Sequence, residues 1–293
     1  MAKQPTYRDF FKQFPDDASC LDHLKTVRYG EVHHCEKCGK EARFYRVKGR
    51  RSYACEHCGH HIYPMAGTPF ENTRTSLQDW FFVMHLFCAS RNGVSAKEVE
   101  RQIGCTYKTA WRMCRLIREY MGEVDGDGPL GGRGFGPVES DEGYIGGKDK
   151  QGHDDKTIVL GMVERNGEII TRPIKDKKMT TIRGELSKHV NKGATVYTDE
   201  GLSYNALAHL GYRHDRVKHA AGEYVRGSVH INTIEGFWNL FKAAYRGTYV
   251  HVSPKYMQTY LHEFEFRWNL RQNPELMMPA LLQGFAKPVS RTP

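Results

Sequence analysis

The chain has 293 residues, more than one compact core usually needs, so two or three domains are expected. Lys and Arg number 43 against 34 Asp and Glu, a formal charge of +9 with a pI near 9.1, which suits an anionic partner such as nucleic acid and predicts binding that salt weakens. Eight cysteines are too few for a disulfide scaffold at this length, the opening Met-Ala-Lys-Gln-Pro lacks the apolar core of a signal peptide, and the longest apolar run, from Trp80 to Ala89, contains His85 and is too short to cross a bilayer. A cytoplasmic protein without membrane contact is expected.

In chain order, residues 1–30 read as a helical lead-in, with Phe10, Phe11 and Phe14 at helical spacing. Residues 31–65 are rich in Cys, His, Gly and basic side chains, with β-prone pieces around Arg43 to Val47 and Arg51 to Ala54, as in a small module stapled by metal. Residues 66–125 turn helical. Residues 126–137 hold so much Gly and Pro that a linker and domain boundary are expected there. From 138 to 275 strands are expected at 138–145, 157–163, 168–174, 195–198 and 212–217, with a hairpin turn at Asn166-Gly167. Helices are expected at 181–190, 203–210 and 232–245. Strands in a run, followed by strands alternating with helices, imply a mixed α/β domain around one central sheet. Residues 276–293 read as a C-terminal tail.

Cys35-x-x-Cys38 and Cys55-x-x-Cys58 are two close pairs separated by sixteen residues. Each pair can grip one edge of a tetrahedral ion, and the spacer is long enough for the hairpin that brings the pairs together. Four thiolates make a closed, structural Zn²⁺ site. His33, His34, His57, His60 and His61 are nearby substitutes that a complete thiolate shell does not need. Gly39 and Gly59 each follow a pair, where a tight turn can aim backbone amides at the thiolates. The ribbon would then present Arg43, Arg46, Lys48, Arg50 and Arg51 to DNA. Cys20, Cys88, Cys105 and Cys114 are expected in the core.

Further along, Ser95 can cap a helix with Glu98 closing a capping box and Val94 and Val99 forming a hydrophobic staple. That helix ends at Gly104, and Thr106 can cap a second one running to about Met121. On the second helix Ala110, Met113, Cys114, Ile117 and Met121 make an apolar stripe, and Lys108, Arg112, Arg115 and Arg118 are assigned to the other side. Such a pair reads as a helix-turn-helix whose second helix enters a major groove. The competing reading is an amphipathic pair with a solvated charged face.

Three carboxylates stand out in the last domain. Asp141 falls in a strand, Asp199 at the end of another, and Glu235 lies thirty-six residues later on a helix. Two strand aspartates and one helix glutamate can converge at a sheet edge, where hard oxygen ligands hold Mg²⁺ or Mn²⁺. Phosphodiester chemistry suits such a set, because two ions about 3.5–4 Å apart activate the attacking oxygen and stabilise the leaving one. Glu142 and Glu200 follow the two aspartates directly, and neighbours on a strand point to opposite faces, so one of each pair faces the site. Lys242, two helical turns after Glu235, can reach a substrate phosphate, and Asn232 is an auxiliary or alternative third ligand.

The stretches Glu139-Ser-Asp-Glu-Gly-Tyr-Ile-Gly-Gly-Lys148, Tyr197-Thr-Asp-Glu-Gly201 and Asn232-Thr-Ile-Glu-Gly-Phe-Trp238 with Lys242 resemble, in this order, the three acidic motifs of the ISXO2-like DDE insertion-sequence transposases. Arg246 to Tyr249 with His251, and Tyr260 to Asn269, resemble the closing segment of that family, and Thr109 to Met113 with Ile117 and Arg118 its helix-turn-helix. The resemblance spans roughly residues 30 to 270. It implies a ribonuclease-H-like catalytic domain, Mg²⁺ as cofactor, and cutting and joining of double-stranded DNA at inverted terminal repeats and target. Asp141, Asp199 and Glu235 would be the metal ligands. A dimer or higher oligomer on DNA follows from the need to hold two ends together. The alternative is a DNA-binding regulator that uses the ribbon and helix-turn-helix beside a disused catalytic domain.

Overall fold

The computed structural model describes residues 5–126, 128–132, 136–147, 156–205, 207–218 and 222–287. Lys148, residues 127 and 133–135 of the glycine-rich linker, and residues 288–293 of the expected tail lie outside them. The chain divides into two units, one built from residues 1–90, 96–124 and 272–293, the other from 91–95 and 125–271.

The first unit starts with α1 (Tyr7–Gln13) and α2 (Asp17–Tyr29), each opened by a reciprocal capping box, Thr6 with Asp9 and Asp16 with Ser19. Phe10 and Phe14 are buried against Phe82 and Phe81, and Phe11 stays exposed. Four short strands follow as an antiparallel sheet in chain order: β1 (Val32–His34), β2 (Glu41–Arg46), β3 (Tyr53–Cys55) and β4 (His61–Ile62). Strand β2 alternates, with Ala42 and Phe44 inside and Glu41, Arg43 and Tyr45 outside.

Helix α3 (Leu77–Ala89) buries Trp80, Phe81, Val83, Met84 and Phe87. Then α4 (Ala96–Ile103) stops at Gly104, whose φ of 65° favours glycine. Thr106 Oγ1 accepts the Thr109 amide at 3.3 Å and so opens α5 (Tyr107–Asp125). This helix runs one turn past the expected Met121. The segment expected as a tail instead forms a closing helix, Met277–Ala286. Its Phe285 is fully buried, stacked on Phe70 and packed on Trp80 and Tyr120.

The second unit is built on a five-stranded mixed sheet. Strand β5 (Val138–Ile145) pairs antiparallel with β6 (Thr157–Glu164), which pairs antiparallel with β7 (Ile169–Ile174). On its other side β5 lies parallel to β8 (Thr195–Thr198), and β8 parallel to β9 (Arg213–Arg216), giving the order β7-β6-β5-β8-β9. The turn from β6 to β7 takes four residues, 165–168, closed by the Glu164 amide on the Glu168 carbonyl and pivoting on Asn166 at φ 62°.

Alternation sorts the two faces of the sheet. Val138, Leu160, Met162, Ile170 and Val196 pack with Ile182 and Leu186 of α6 (Met179–His189). Ile145, Val159, Val163 and Ile169 pack with α7 (Asn232–Ala244) and α8 (Met257–Asn269), through Ile234, Phe237, Trp238, Phe241, Leu261 and Phe264. Part of the expected linker is tied down, because Leu130 is buried and bridges Val190.

Candidate active site and zinc centre

The four cysteines of the ribbon lie together. Their sulfurs are within 4.8 Å of one another, with Cys35 to Cys58 at 3.6 Å and Cys38 to Cys55 at 4.0 Å. Zn–S bonds of about 2.3 Å in a tetrahedron place sulfurs about 3.8 Å apart, so the arrangement fits a structural zinc ion. Gly39 and Gly59 each take φ 68°, as the turns require. Their amides bond the carbonyls of Cys35 and Cys55 rather than the thiolates. The amide of Cys38, with that of Lys37, instead helps hold the Cys35 thiol down to about 6. Of the other four cysteines, Cys20, Cys88 and Cys114 are buried and Cys105 is only half-buried in the turn before α5.

On α5, Ala110, Met113, Cys114, Ile117 and Met121 are buried, and Lys108 and Arg112 are exposed. Arg115 is half-buried, paired with Glu119 at 3.2 Å. Arg118 does not join the basic side assigned to it: it is 3 % exposed, with its guanidinium 5.1 Å from the Phe87 ring centroid. The cause is helical geometry, since residue 118 lies four after Cys114 and three before Met121, on the apolar face.

Asp141 sits on the central strand β5, half-buried and directly opposite Gly161 of β6. Strand parity puts it on the same face as Glu139, Gly143 and Ile145, the face that α7 covers. Two glycines let α7 settle closely there. A Cβ on Gly143 would lie 2.9 Å from the Trp238 ring, and one on Gly161 would lie 2.6 Å from both Ile234 Cδ1 and Trp238 Cζ2. Glu142 has the opposite parity, where its carboxylate accepts the Tyr204 hydroxyl and lies 3.5 Å from Lys177 Nζ.

Asp199 directly follows β8. The parallel register pairs Val138 with Val196 and Glu139 with Tyr197, and Asp199, two residues past Tyr197, is near enough for its charge to act on Asp141. The Gly201 amide donates to Asp199 Oδ1 at 2.8 Å. Glu235 stands half-buried in the first turn of α7, next to Ile234, and Lys242 half-buried in the last turn. Asn232 and Asn239 are exposed.

The electrostatics tie the three acids together. Burial pushes the Asp141 carboxyl up to about 7, helped by the negative charges of Glu142, Asp199 and Glu235. Among the described residues, only the four cysteines form a group of three or more metal-type ligands within 4.8 Å of one another. The charges of Asp199 and Glu235 thus reach Asp141, while the three carboxylates do not close to that distance. An all-oxygen donor set whose innermost member is starved of positive charge fits a hard divalent cation rather than a soft metal.

Sequence reasoning missed Glu139, Arg165 and the two glycines under α7. Glu139 carried one usable signal, its shared parity with Asp141. Its partners on α7 are 94 and 95 residues away, and nothing local marks them. His230 has its Nδ1 3.4 Å from Glu139 Oε1. Phe237, Trp238 and Phe241 are core residues.

The chain thus joins a four-thiol ribbon to a mixed α/β domain in which Asp199 and Glu235 lie near enough to Asp141 to raise its carboxyl. Residues 130–269 match the ISXO2-like transposase domain, and residues 15–61 match the transposase zinc-ribbon domain, a match that begins ahead of the boundary expected at 31 and takes in α2. The chain thus carries an ISXO2-like transposase domain together with a transposase zinc-ribbon domain. It is also similar to the "Uncharacterized protein in transposable element ISH50" of Halobacterium salinarum, 26% identical over 289 residues, covering 90% of this chain and 94% of that one. Among the described residues no helix is long and apolar enough to cross a membrane.

Proposed function

We propose that this protein is an active DNA transposase that nicks DNA at the terminal inverted repeats of an insertion sequence and joins the freed 3′ end to target DNA. Its second unit, a mixed sheet flanked by helices, supports a ribonuclease-H-like reading. Asp141, Asp199 and Glu235 would hold Mg²⁺ or Mn²⁺, and Lys242 would contact substrate phosphate. Bound divalent ions would supply charge stabilisation at the attacking and leaving oxygens of the phosphodiester. The protein's own groups hold the ligands in place: the Gly201 amide orients Asp199, and Trp238 over Gly143 and Gly161 seats the helix that carries Glu235. The helix pair α4 and α5 acts as a helix-turn-helix with Lys108, Arg112 and Arg115 toward DNA, beside the basic ribbon. An oligomer bridges the two ends.

The observation that carries this reading is geometric: Asp141 lies on the face of β5 against which α7, the helix bearing Glu235, is seated through Trp238, and burial with the charges of neighbouring acids raises its carboxyl, as suits a site that takes up positive charge. The test is incubation of the purified protein with Mg²⁺ and oligonucleotides bearing the terminal repeats of the element. Metal-dependent nicking with strand-transfer products, abolished by Asp141→Asn with end binding retained, is expected. Binding without cleavage would favour a regulator, and cleavage without joining a nuclease.

A further inference from the structure

Glu139 is a fully buried carboxylate two residues before Asp141 on β5. Oε2 accepts the backbone amides of Thr233 at 2.8 Å and Ile234 at 3.1 Å. Oε1 accepts the Thr233 hydroxyl at 2.9 Å and Arg165 Nε at 2.6 Å. Helix α7 has no cap from its own N-cap residue, Ile231, so the strand supplies from outside what a capping side chain normally does from within.

Arg165 completes the arrangement from the β6–β7 turn. Its two terminal nitrogens donate to the carbonyls of Ser228 at 2.7 Å and His230 at 2.9 Å, in the segment that leads into α7. The guanidinium also lies 5.1 Å from the Tyr197 ring centroid on β8. One carboxylate and one guanidinium therefore bind together β5, the β6–β7 turn and the start of α7.

A buried ion pair adds little net stability over apolar residues of equal volume, but its directional bonds can fix register. Register matters here because Glu235 follows Ile234, whose amide Glu139 holds. A slip of one residue along α7 would shift the acid by about 1.5 Å and turn it by about 100°.

We propose that Glu139 and Arg165 are positioning residues, a lock that sets where α7 starts on the sheet and thereby places Glu235 against Asp141 for divalent-cation binding. This rests on the reading of Asp141, Asp199 and Glu235 as metal ligands.

The test uses full-length wild-type protein, Glu139→Gln, Arg165→Lys and Asp141→Asn. Binding of Mn²⁺ is followed by electron paramagnetic resonance of the free ion, Mg²⁺ dependence by single-turnover cleavage of terminal-repeat DNA, and order at Thr233 and Ile234 by amide hydrogen exchange. Glu139→Gln and Arg165→Lys should bind end DNA like wild type without added divalent metal and exchange faster at the first turn of α7. They should also bind Mn²⁺ about 10- to 100-fold more weakly, the loss typical of groups that orient metal ligands, with the Mg²⁺ for half-maximal cleavage rising in step. Folded variants with unchanged Mn²⁺ affinity would overturn the proposal. So would a rate that falls equally at every Mg²⁺ concentration, which would make the pair merely structural. If Glu139→Gln does not fold, Arg165→Lys, which keeps the charge and loses the fork, decides the matter. Wild-type cleavage by Asp141→Asn would sink the metal-ligand reading itself. An inactive Asp141→Asn beside unaffected Glu139→Gln and Arg165→Lys would sink the lock alone.

Discussion

Asp141 stands opposite Gly161 across the β5–β6 ladder, and the space that a side chain at Gly161 would occupy is filled by Ile234 and Trp238 of α7. The acid on the strand and the helix bearing Glu235 thus meet at the one rung of the ladder where the partner strand has no side chain. Gly161→Ala would put a Cβ 2.6 Å from Ile234 Cδ1 and Trp238 Cζ2, so α7 must lift or its side chains must leave their rotamers. The expected cost is about 1–3 kcal/mol of stability, as for overpacked cores, read from the urea midpoint. Cleavage should fall by more than the unfolded fraction explains. An unchanged midpoint with unchanged cleavage would show that α7 does not depend on this close seat.

The raised Asp141 carboxyl makes a signed prediction for pH. A folded value of about 7 against an ordinary value of 3.8 means that between these limits the folded, metal-free protein binds a proton that the unfolded chain does not. Stability from this group is present below pH 4 and is lost as pH rises toward 7, by no more than about 4 kcal/mol. Asp141→Asn should flatten this part of the pH–stability curve and raise stability at neutral pH. Added Mg²⁺ should stabilise the wild type most at neutral pH, where the carboxylate is available. A wild-type curve identical to that of Asp141→Asn between pH 4 and 7 would contradict the assigned shift.

Zinc removal tests the first unit. The ribbon strands are short, and the β2–β3 pairing of Phe44 with Cys55 runs directly into the thiolate cluster. Structural zinc supplies about 10–16 kcal/mol in zinc-finger peptides, more than so small a sheet gains by burial. A strong chelator, or Cys35→Ser, should therefore release zinc, measurable by atomic absorption, and open the β2–β3 amides to hydrogen exchange. Protected amides in the zinc-free protein would show that packing alone holds the ribbon.

The central elements were legible because their patterns are local. Strand-like runs at 138–145, 157–163 and 195–198 marked β5, β6 and β8, the helical stretch 232–245 marked α7, and the cysteine spacing marked the ribbon. The closing helix 277–286 was passed over because Pro279 and Gly284 interrupt it. Pro279 lies in the first turn, where no intrahelical amide is needed, and Gly284 lets the helix approach Val124, whose Cγ2 would be 2.6 Å from an added Cβ. What no local pattern carries is long-range pairing: Glu139 reads as one more acid in an acidic motif until its partners on α7 are known.

The basic residues of α5 should separate in experiment, because their surroundings differ more than their chemistry. Arg112 is exposed, so Arg112→Ala should leave the thermal midpoint nearly unchanged. If it contacts a phosphate, the substitution should weaken end binding and lower the slope of log affinity against log salt by about 1. Arg118 is 3 % exposed against Phe87, and Arg118→Ala removes both its long apolar stem and a charge–ring contact from the core of the first unit. It should cost about 2–4 kcal/mol of stability, by analogy with large-to-small core changes. At a temperature where the variant is folded, its salt slope should equal that of the wild type. The reverse pattern, a stable Arg118→Ala with a reduced salt slope and a destabilised Arg112→Ala with normal binding, would mean that α5 turns its other face to DNA.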